Sequence, residues 1–259
     1  MLTAITRQVS TGINQCELSF HERQPIDVNR AITQHAAYEQ LLSELGVRVI
    51  RLTAEPDLPD AVFVEDVAVV VDEVALISRM GAVSRRPEAE SLADLLSLYR
   101  PLKFLESPAT LDGGDVMRIE RTLFVGASSR TNADGIAQLR GALAPFGYEV
   151  EAADVKGCLH LKSGCSYVGR NSILVNRAWV DVTPFAGFEL IDVPAFEPGA
   201  ANALVIEDVV IVPSAFPQTI ALLEAGGFIV RAIDVSELQK AEGGVTCKSI
   251  IFNTGESDL

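Results

Sequence analysis

GGDVMRIERTLFVGAS, residues 113–128, sets two apolar runs on either side of a polar turn, with Asp115 just ahead of the first run. Two β-prone runs joined by a short polar turn are the pattern of a β-hairpin. The pattern comes back four more times, in VEDVAVVVDEVALIS (64–78), SGCSYVGRNSILVN (163–176), AANALVIEDVVIVPS (200–214) and GVTCKSIIFN (244–253). The entrance to the leading strand carries a polar residue or a cysteine each time: Asp66, Asp115, Cys165, Asn202 and Cys247. These positions recur roughly every 40–50 residues, the period of a repeat architecture built from one supersecondary unit.

Helical patterns fill the intervals. VNRAITQHAAYEQLLSELG (28–46) sets Ile32, Tyr38, Leu41, Leu42 and Leu45 near helical spacing and ends in Gly46. AESLADLLSLY (89–99), TNADGIAQLRGALAPFG (131–147) and FPQTIALLEAGG (216–227) look alike. Strands follow the first, third and fourth of these, as VRVIRL (47–52), YEVEAAD (148–154) and FIVRAID (228–234). The expected fold is α/β: five ββαβ-type units around a pseudo-five-fold axis. No linker or low-complexity segment divides the chain, so residues 1–259 are expected to form one domain.

Composition narrows the function. The chain has 259 residues, 48% of them hydrophobic, and a net charge of −14 from 21 basic and 35 acidic side chains. Such a surface repels phosphate backbones and anionic lipid, which argues against nucleic-acid and membrane partners. The four cysteines form no CxxC pair, no apolar run reaches the ~18 residues of a membrane span, and MLTAITRQVS does not read as a signal peptide. The expectation is a cytoplasmic protein with free thiols.

In a five-fold ring the strand entrances gather at one end of the axis. Glu65, Asp66, Asp112, Asp115, His160, Cys165, Asn202 and Cys247, far apart in sequence, then meet at one candidate site. Cys247 follows Gly243-Gly244, a pair that permits close backbone approach. It reads as a buried small hydrophobe, half of a disulfide, a metal ligand or a nucleophile. The nucleophile reading needs a histidine or cation nearby. Of three histidines, His35 and His21 are expected at the surface or partly buried, and His160 lies beside a repeat junction. Asp112, in TLDGGDVM, is either a turn cap or the carboxylate that orients His160. Glu65 and Asp66 interrupt an apolar strand, and two adjacent buried carboxylates call for a cation such as a guanidinium. Cys158, His160 and Cys165 match no zinc spacing, and LDGGD lacks the lysine of a phosphate loop.

The same stretches resemble the dimethylarginine dimethylaminohydrolases of the guanidine-modifying, five-bladed pentein superfamily. The shared motifs are FVEDVAVV, SRMGAVSRRPE, TLDGGDV, FVGASSRTN, GCLHLKSGCS, PGAANAL and SELQKAEGGVTC, seven in order between residues 63 and 247. The resemblance implies Cys247 as nucleophile, His160 as general acid and base, and Asp112 as its orienting carboxylate. It implies Glu65 and Asp66 as guanidinium-binding acids, with Phe63 as an apolar wall. Asp60 and the backbones of Leu18 and Ala241 would meet the substrate's α-ammonium, and Arg85 and Arg130 its α-carboxylate. The implied reaction takes a methylated arginine to citrulline and an alkylamine through a covalent cysteine thiouronium. It uses no metal or organic cofactor, and the protein would be a monomer or homodimer. Arginine deimination is the alternative in the same class, and a non-catalytic binding protein of the same fold is the alternative outside it. Two residues depart from close relatives. Lys248 is expected either to lower the Cys247 pKa or to point to solvent, and Gly164 to reshape the pocket.

Overall fold

The computed structural model describes residues 1–255. Five three-stranded sheets stand in a ring. The first holds β1 (Leu2–Arg7), the helix α1 (Val28–Glu44) and β2 (Arg48–Leu52). The second holds β3 (Ala68–Val70), β4 (Ala75–Ile77), α2 (Ala89–Leu96) and β5 (Leu102–Phe104). The third holds β6 (Val116–Ile119), β7 (Thr122–Ala127), α3 (Ala133–Leu143) and β8 (Glu149–Asp154). In the fourth, the single turn α4 (Leu161–Gly164) leads into β9 (Cys165–Gly169), β10 (Ser172–Val175) and β11 (Glu189–Asp192). The fifth holds β12 (Leu204–Ile206), β13 (Val209–Pro213), α5 (Pro217–Ala225) and β14 (Ile229–Ile233). The short α6 (Ser236–Gln239) then leads to β15 (Ile250–Asn253).

Every sheet follows one rule. Its middle strand runs antiparallel to the inner strand and parallel to the outer one, because a helix or a long turn carries the chain back to the outer edge. The fifth expected hairpin, 244–253, supplies only one strand. Its partner is the other end of the chain: β15 pairs antiparallel with β1, Leu2 opposite Asn253 and Ile5 opposite Ile250. The ring therefore closes by sharing one blade between the two termini. The third strand after α2 escaped the sequence reading because β5 is only three residues of LKF with Phe104 exposed.

Local chemistry sets the element ends. Asp27 caps α1 by accepting from the Arg30 N–H at 3.1 Å. Its C-terminus closes as a Schellman motif: Gly46 has φ +81°, Gly46 N–H donates to the Ser43 carbonyl and Val47 N–H to that of Leu42. The buried stripe of α1 runs through Ala31, Gln34, His35, Tyr38, Leu41 and Leu42. Ile32 stands 44% exposed and His35 is buried, the reverse of expectation. Ile32 is one residue, about 100° of helix, off the stripe, and His35 is accepted into it because Glu39 lies one turn on, 3.4 Å away.

The core is a ring of wedges between blades. One wedge joins Val69 and Leu76 of the second blade to Leu123, Val125 and Leu139 of the third; another joins Ile5 and Phe252 to Ile77 and Leu92. Polar bonds join the inner junctions in the same circular order. Gly114 N–H donates to Asp66, Leu161 N–H to Asp115, Ala203 N–H to Ser166, Val245 N–H to Asn202, and Glu65 N–H to the Cys247 carbonyl. Four of the five repeat positions identified in the sequence thus interlock around the axis, and at the fourth junction Ser166 takes the place of its neighbour Cys165. No helix among the described residues is long and apolar enough to cross a membrane.

Candidate active site

Glu65 and Asp66 lie on a one-turn 3-10 helix, Val64–Val67, ahead of β3, rather than within a strand. Asp112 and Asp115 frame a similar turn, Gly113–Asp115. The two acids of each pair reach different partners: Glu65 meets Lys162 and Asp66 meets Arg85, while Asp112 meets His160 and Asp115 the Leu161 N–H. Cys247 sits three residues before β15.

These turns bring Cys247, His160 and Asp66 into the wall of one pocket with Asp60, Phe63, Arg85, Arg130 and Ala241. Asp112 lies behind it, wholly buried, and holds the histidine: His160 Nε2 donates to Asp112 Oδ2 at 3.1 Å, while Gly81 N–H donates to Oδ1 at 2.8 Å and fixes the carboxylate. His160 Nδ1 stands 3.7 Å from Asp66 Oδ1. Burial opposes charge on the imidazole, but Asp66, Asp112 and Asp115 outweigh it and raise its pKa to about 9. Asp66, Asp112 and His160 lie close enough together to hold a metal ion. An imidazolium between the two carboxylates already meets their charge.

Cys247 is partly exposed and takes a hydrogen bond to Sγ from Gly244 N–H at 3.4 Å. Burial first, then the charges of Glu65 and Asp66, push its thiol up to about 12. The glycine pair before it has the role expected. A Cβ on Gly243 would lie 2.3 Å from Phe63, and one on Gly244 2.1 Å from Asn202. Gly114 likewise leaves no room for a side chain between His160 Nδ1 and Asp66, 2.5 and 2.6 Å from its would-be Cβ.

The substrate-binding expectations divide. Asp66 accepts from Gly114 N–H and pairs with Arg85 at 2.7 Å. Its pKa falls although burial opposes this, because His160 and Arg85 face it. Glu65 turns the other way. It pairs with Lys162 at 2.6 Å and lines an axial cavity of about 430 Å³ between the inner strands. Arg85 is held by both oxygens of Glu88 and by Asp66, so most of its fork faces inward. Arg130 donates from Nη2 to Ser19 and leaves Nη1 buried without a hydrogen-bond partner. Asp60 accepts from Glu17 N–H at 3.0 Å, and burial raises its pKa. Leu18 packs into the apolar cluster of Ile13, Phe63 and Ala241, and Glu17 rather than Leu18 stands in the pocket wall.

Lys248 does not reach solvent. It is fully buried, its Nζ 4.0 Å over the Tyr38 ring, and burial lowers its pKa to about 7. Gly164 stands in the wall of neither the reaction pocket nor the adjoining cleft. A Cβ there would meet Val180 at 2.5 Å, so its smallness serves packing.

Lys162, Glu88 and Glu242 were missed. Glu88 had a signal, its i,i+3 spacing from Arg85. Glu242 had none. Its Oε1 accepts the N–H groups of Ser19, Phe20 and His21 at 2.9, 2.5 and 2.7 Å, and so ties the loop that roofs the pocket. The roofed pocket measures about 20 Å³, room for about one water.

A five-bladed α/β ring with a cysteine, a carboxylate-held histidine and an acid at its axis defines a guanidine-modifying enzyme of the pentein class. Residues 4–182 match the family described as N,N dimethylarginine dimethylhydrolase, eukaryotic. The chain is 34% identical over 228 residues to N(G),N(G)-dimethylarginine dimethylaminohydrolase of Pseudomonas aeruginosa, covering 87% of this chain and 90% of the relative. It is 36% identical to the enzyme of the same name from Streptomyces coelicolor, covering 95% of each. A structure of the Pseudomonas aeruginosa protein, a cysteine-to-serine variant complexed with citrulline, superposes with a TM-score of 0.92 at 31% identity, over 96% of this chain and 98% of that one. The N-terminal domain of the arginine dihydrolase ArgZ shares the fold, with a TM-score of 0.87 at 18% identity over 98% of each chain. The chain belongs to the dimethylarginine dimethylaminohydrolase family.

Proposed function

We propose that Cys247, His160 and Asp112 carry out the family's reaction here, hydrolysis of Nω,Nω-dimethyl-L-arginine and Nω-monomethyl-L-arginine to L-citrulline and the methylated amine. One observation carries the assignment of roles: Cys247, Asp66 and a histidine held by a buried carboxylate converge on one pocket. The cationic guanidinium lies against Asp66. Asp60 takes the α-ammonium and Arg130 the α-carboxylate; its Nη1, which lies 4.0 Å from Asp112 and makes no hydrogen bond, supplies a donor. Arg85 stiffens the wall through Asp66 and Glu88 and offers its remaining N–H to the same carboxylate.

Positioning supplies much of the rate, since the resonance-stabilised carbon is a poor electrophile. The bound cation offsets the field of Glu65 and Asp66 and so lowers the thiol pKa. Sγ, its proton released to solvent as the cation binds, attacks the guanidinium carbon as the thiolate. His160, protonated at neutral pH, gives its proton to the leaving amine as the C–N bond breaks. The imidazole then takes a proton from water, which adds to the thiouronium carbon, and Sγ leaves with citrulline as product. One domain holds every group involved, because the termini close the ring through β1 and β15.

The test compares citrulline formation from asymmetric dimethylarginine and from arginine, by wild type and by folded Cys247→Ser. Turnover of the methylated substrate that disappears in the variant is the expected result. Preference for arginine would keep the nucleophile and change the substrate. Equal activity in the variant would overturn the site.

A further inference from the structure

We infer that the apolar cleft on the far side of Cys247 receives the substituent of the leaving amine, so that this enzyme hydrolyses Nω-alkylarginines with groups much larger than methyl. This rests on the function proposed above. Cys247, Leu159, Glu242 and Gly243 stand in two walls at once. On one side is the small charged pocket. On the other is a cleft of about 460 Å³ walled by Trp179, Phe216 and Leu159.

The two compartments differ in chemistry. The charged pocket offers Asp60, Asp66, Arg85 and Arg130. The cleft's acid is Glu242, and its Oε1 is taken up by three backbone amides of the roof loop. The amino-acid head and the guanidinium therefore belong in the charged pocket. Only the nitrogen substituent is apolar and lies beyond the reacting carbon. A leaving nitrogen protonated by His160 directs that substituent past Leu159, the residue before His160, and into the cleft. At about 30 Å³ per water-sized group the cleft has room for on the order of ten such groups, far more than two methyls.

The chemistry is unchanged and balances. The Sγ–C bond forms as the C–N bond breaks, the nitrogen takes the His160 proton, and water completes citrulline and a free primary alkylamine. Each fully buried methylene favours binding roughly fourfold.

The experiment measures kcat/KM for Nω-methyl-, Nω-butyl- and Nω-benzyl-L-arginine, following citrulline and the released amine. Gly199→Leu fills the cleft. A Cβ at Gly199 meets only Phe216, at 3.5 Å, so the chain tolerates it. Wild type is expected to process the butyl compound at least as well as the methyl one, with each methylene buried in the cleft lowering KM. Gly199→Leu is expected to lose at least tenfold on butyl and benzyl, with methyl turnover retained as the control for folding. Phe216→Ala, which removes one wall, is expected to weaken benzyl against methyl. A wild type a hundredfold slower on butyl than on methyl, or variants that slow all three substrates alike, would overturn the inference. Failure on methylarginine itself would instead sink the function on which it rests.

Discussion

His160 Nε2 donates to Asp112 Oδ2 at 3.1 Å, and no part of Asp112 reaches solvent. One carboxylate thus fixes the ring's orientation and helps to keep it charged. Asp112→Asn preserves shape and removes the charge. The imidazole loses orientation and holds its proton less firmly. We expect kcat to fall by about 10²–10⁴, the usual worth of general acid–base catalysis, with KM little changed. The alkaline limb of the pH–rate profile should move below its wild-type position near pH 9. An unchanged limb would remove Asp112 from the acid–base pair.

Cys247 rests as a thiol. Its pKa near 12 comes from burial and from Glu65 and Asp66. Alkylation by iodoacetamide should therefore be slow at pH 7 and keep rising through pH 10, since only the thiolate reacts. Asp66→Asn, which removes one opposing charge, should speed alkylation at a fixed pH. A rate already flat at pH 7 would mean a resting thiolate and would contradict the geometry.

The ring of junctions was legible in the sequence because each blade repeats its hairpin, and the polar residue ahead of it marks the axis. Cys247, His160, Asp66 and Asp112 came together for that reason. The side of the axis that each acid faces was not legible. Adjacent residues Glu65 and Asp66 part company on a 3-10 turn, and nothing in VEDV distinguishes a strand start from such a turn. Nor does sequence show that Arg85 spends its fork on Glu88, or that Lys248 lies over Tyr38. Those pairings depend on which neighbouring blade arrives beside each residue. The role of β1 was hidden for a related reason, since its partner is 250 residues away along the chain, roughly the whole length of the repeat array.

The raised pKa of His160 carries a signature in stability. The folded state binds this proton up to about pH 9, whereas the unfolded chain releases it near 6.5. The contribution is full below pH 6.5 and disappears as pH rises through 9. Burial of Lys248, whose pKa falls to about 7, contributes the opposite slope above pH 7, so the signature lies in the difference between wild type and His160→Gln. Thermal denaturation should show the wild-type midpoint above that of His160→Gln at pH 6 and the gap narrowing as pH rises to 9. A gap that stays constant or widens from pH 6.5 to 9 would mean that the imidazole is not charged in the fold.

Glu65 and Lys162 form the last expectation. Their contact is 2.6 Å, with the side chains only 15% and 14% exposed. They line the axial cavity, while Asp66 and Cys247 line the reaction pocket. Removing one member of a largely buried pair leaves an uncompensated charge, which costs about 3 kcal/mol. For a chain of this size that is about 6–12 °C in melting temperature. Lys162→Met should show this loss, and it should also raise the Cys247 pKa further, because Glu65 then acts on the thiol without its cation. Glu65→Gln/Lys162→Met should melt closer to wild type than Lys162→Met alone, since no lone charge remains. Alkylation rates of the same three proteins separate the two effects: the single variant should be slowest and the double variant faster than wild type. A double variant that melts at or below Lys162→Met would show that the two side chains are not coupled.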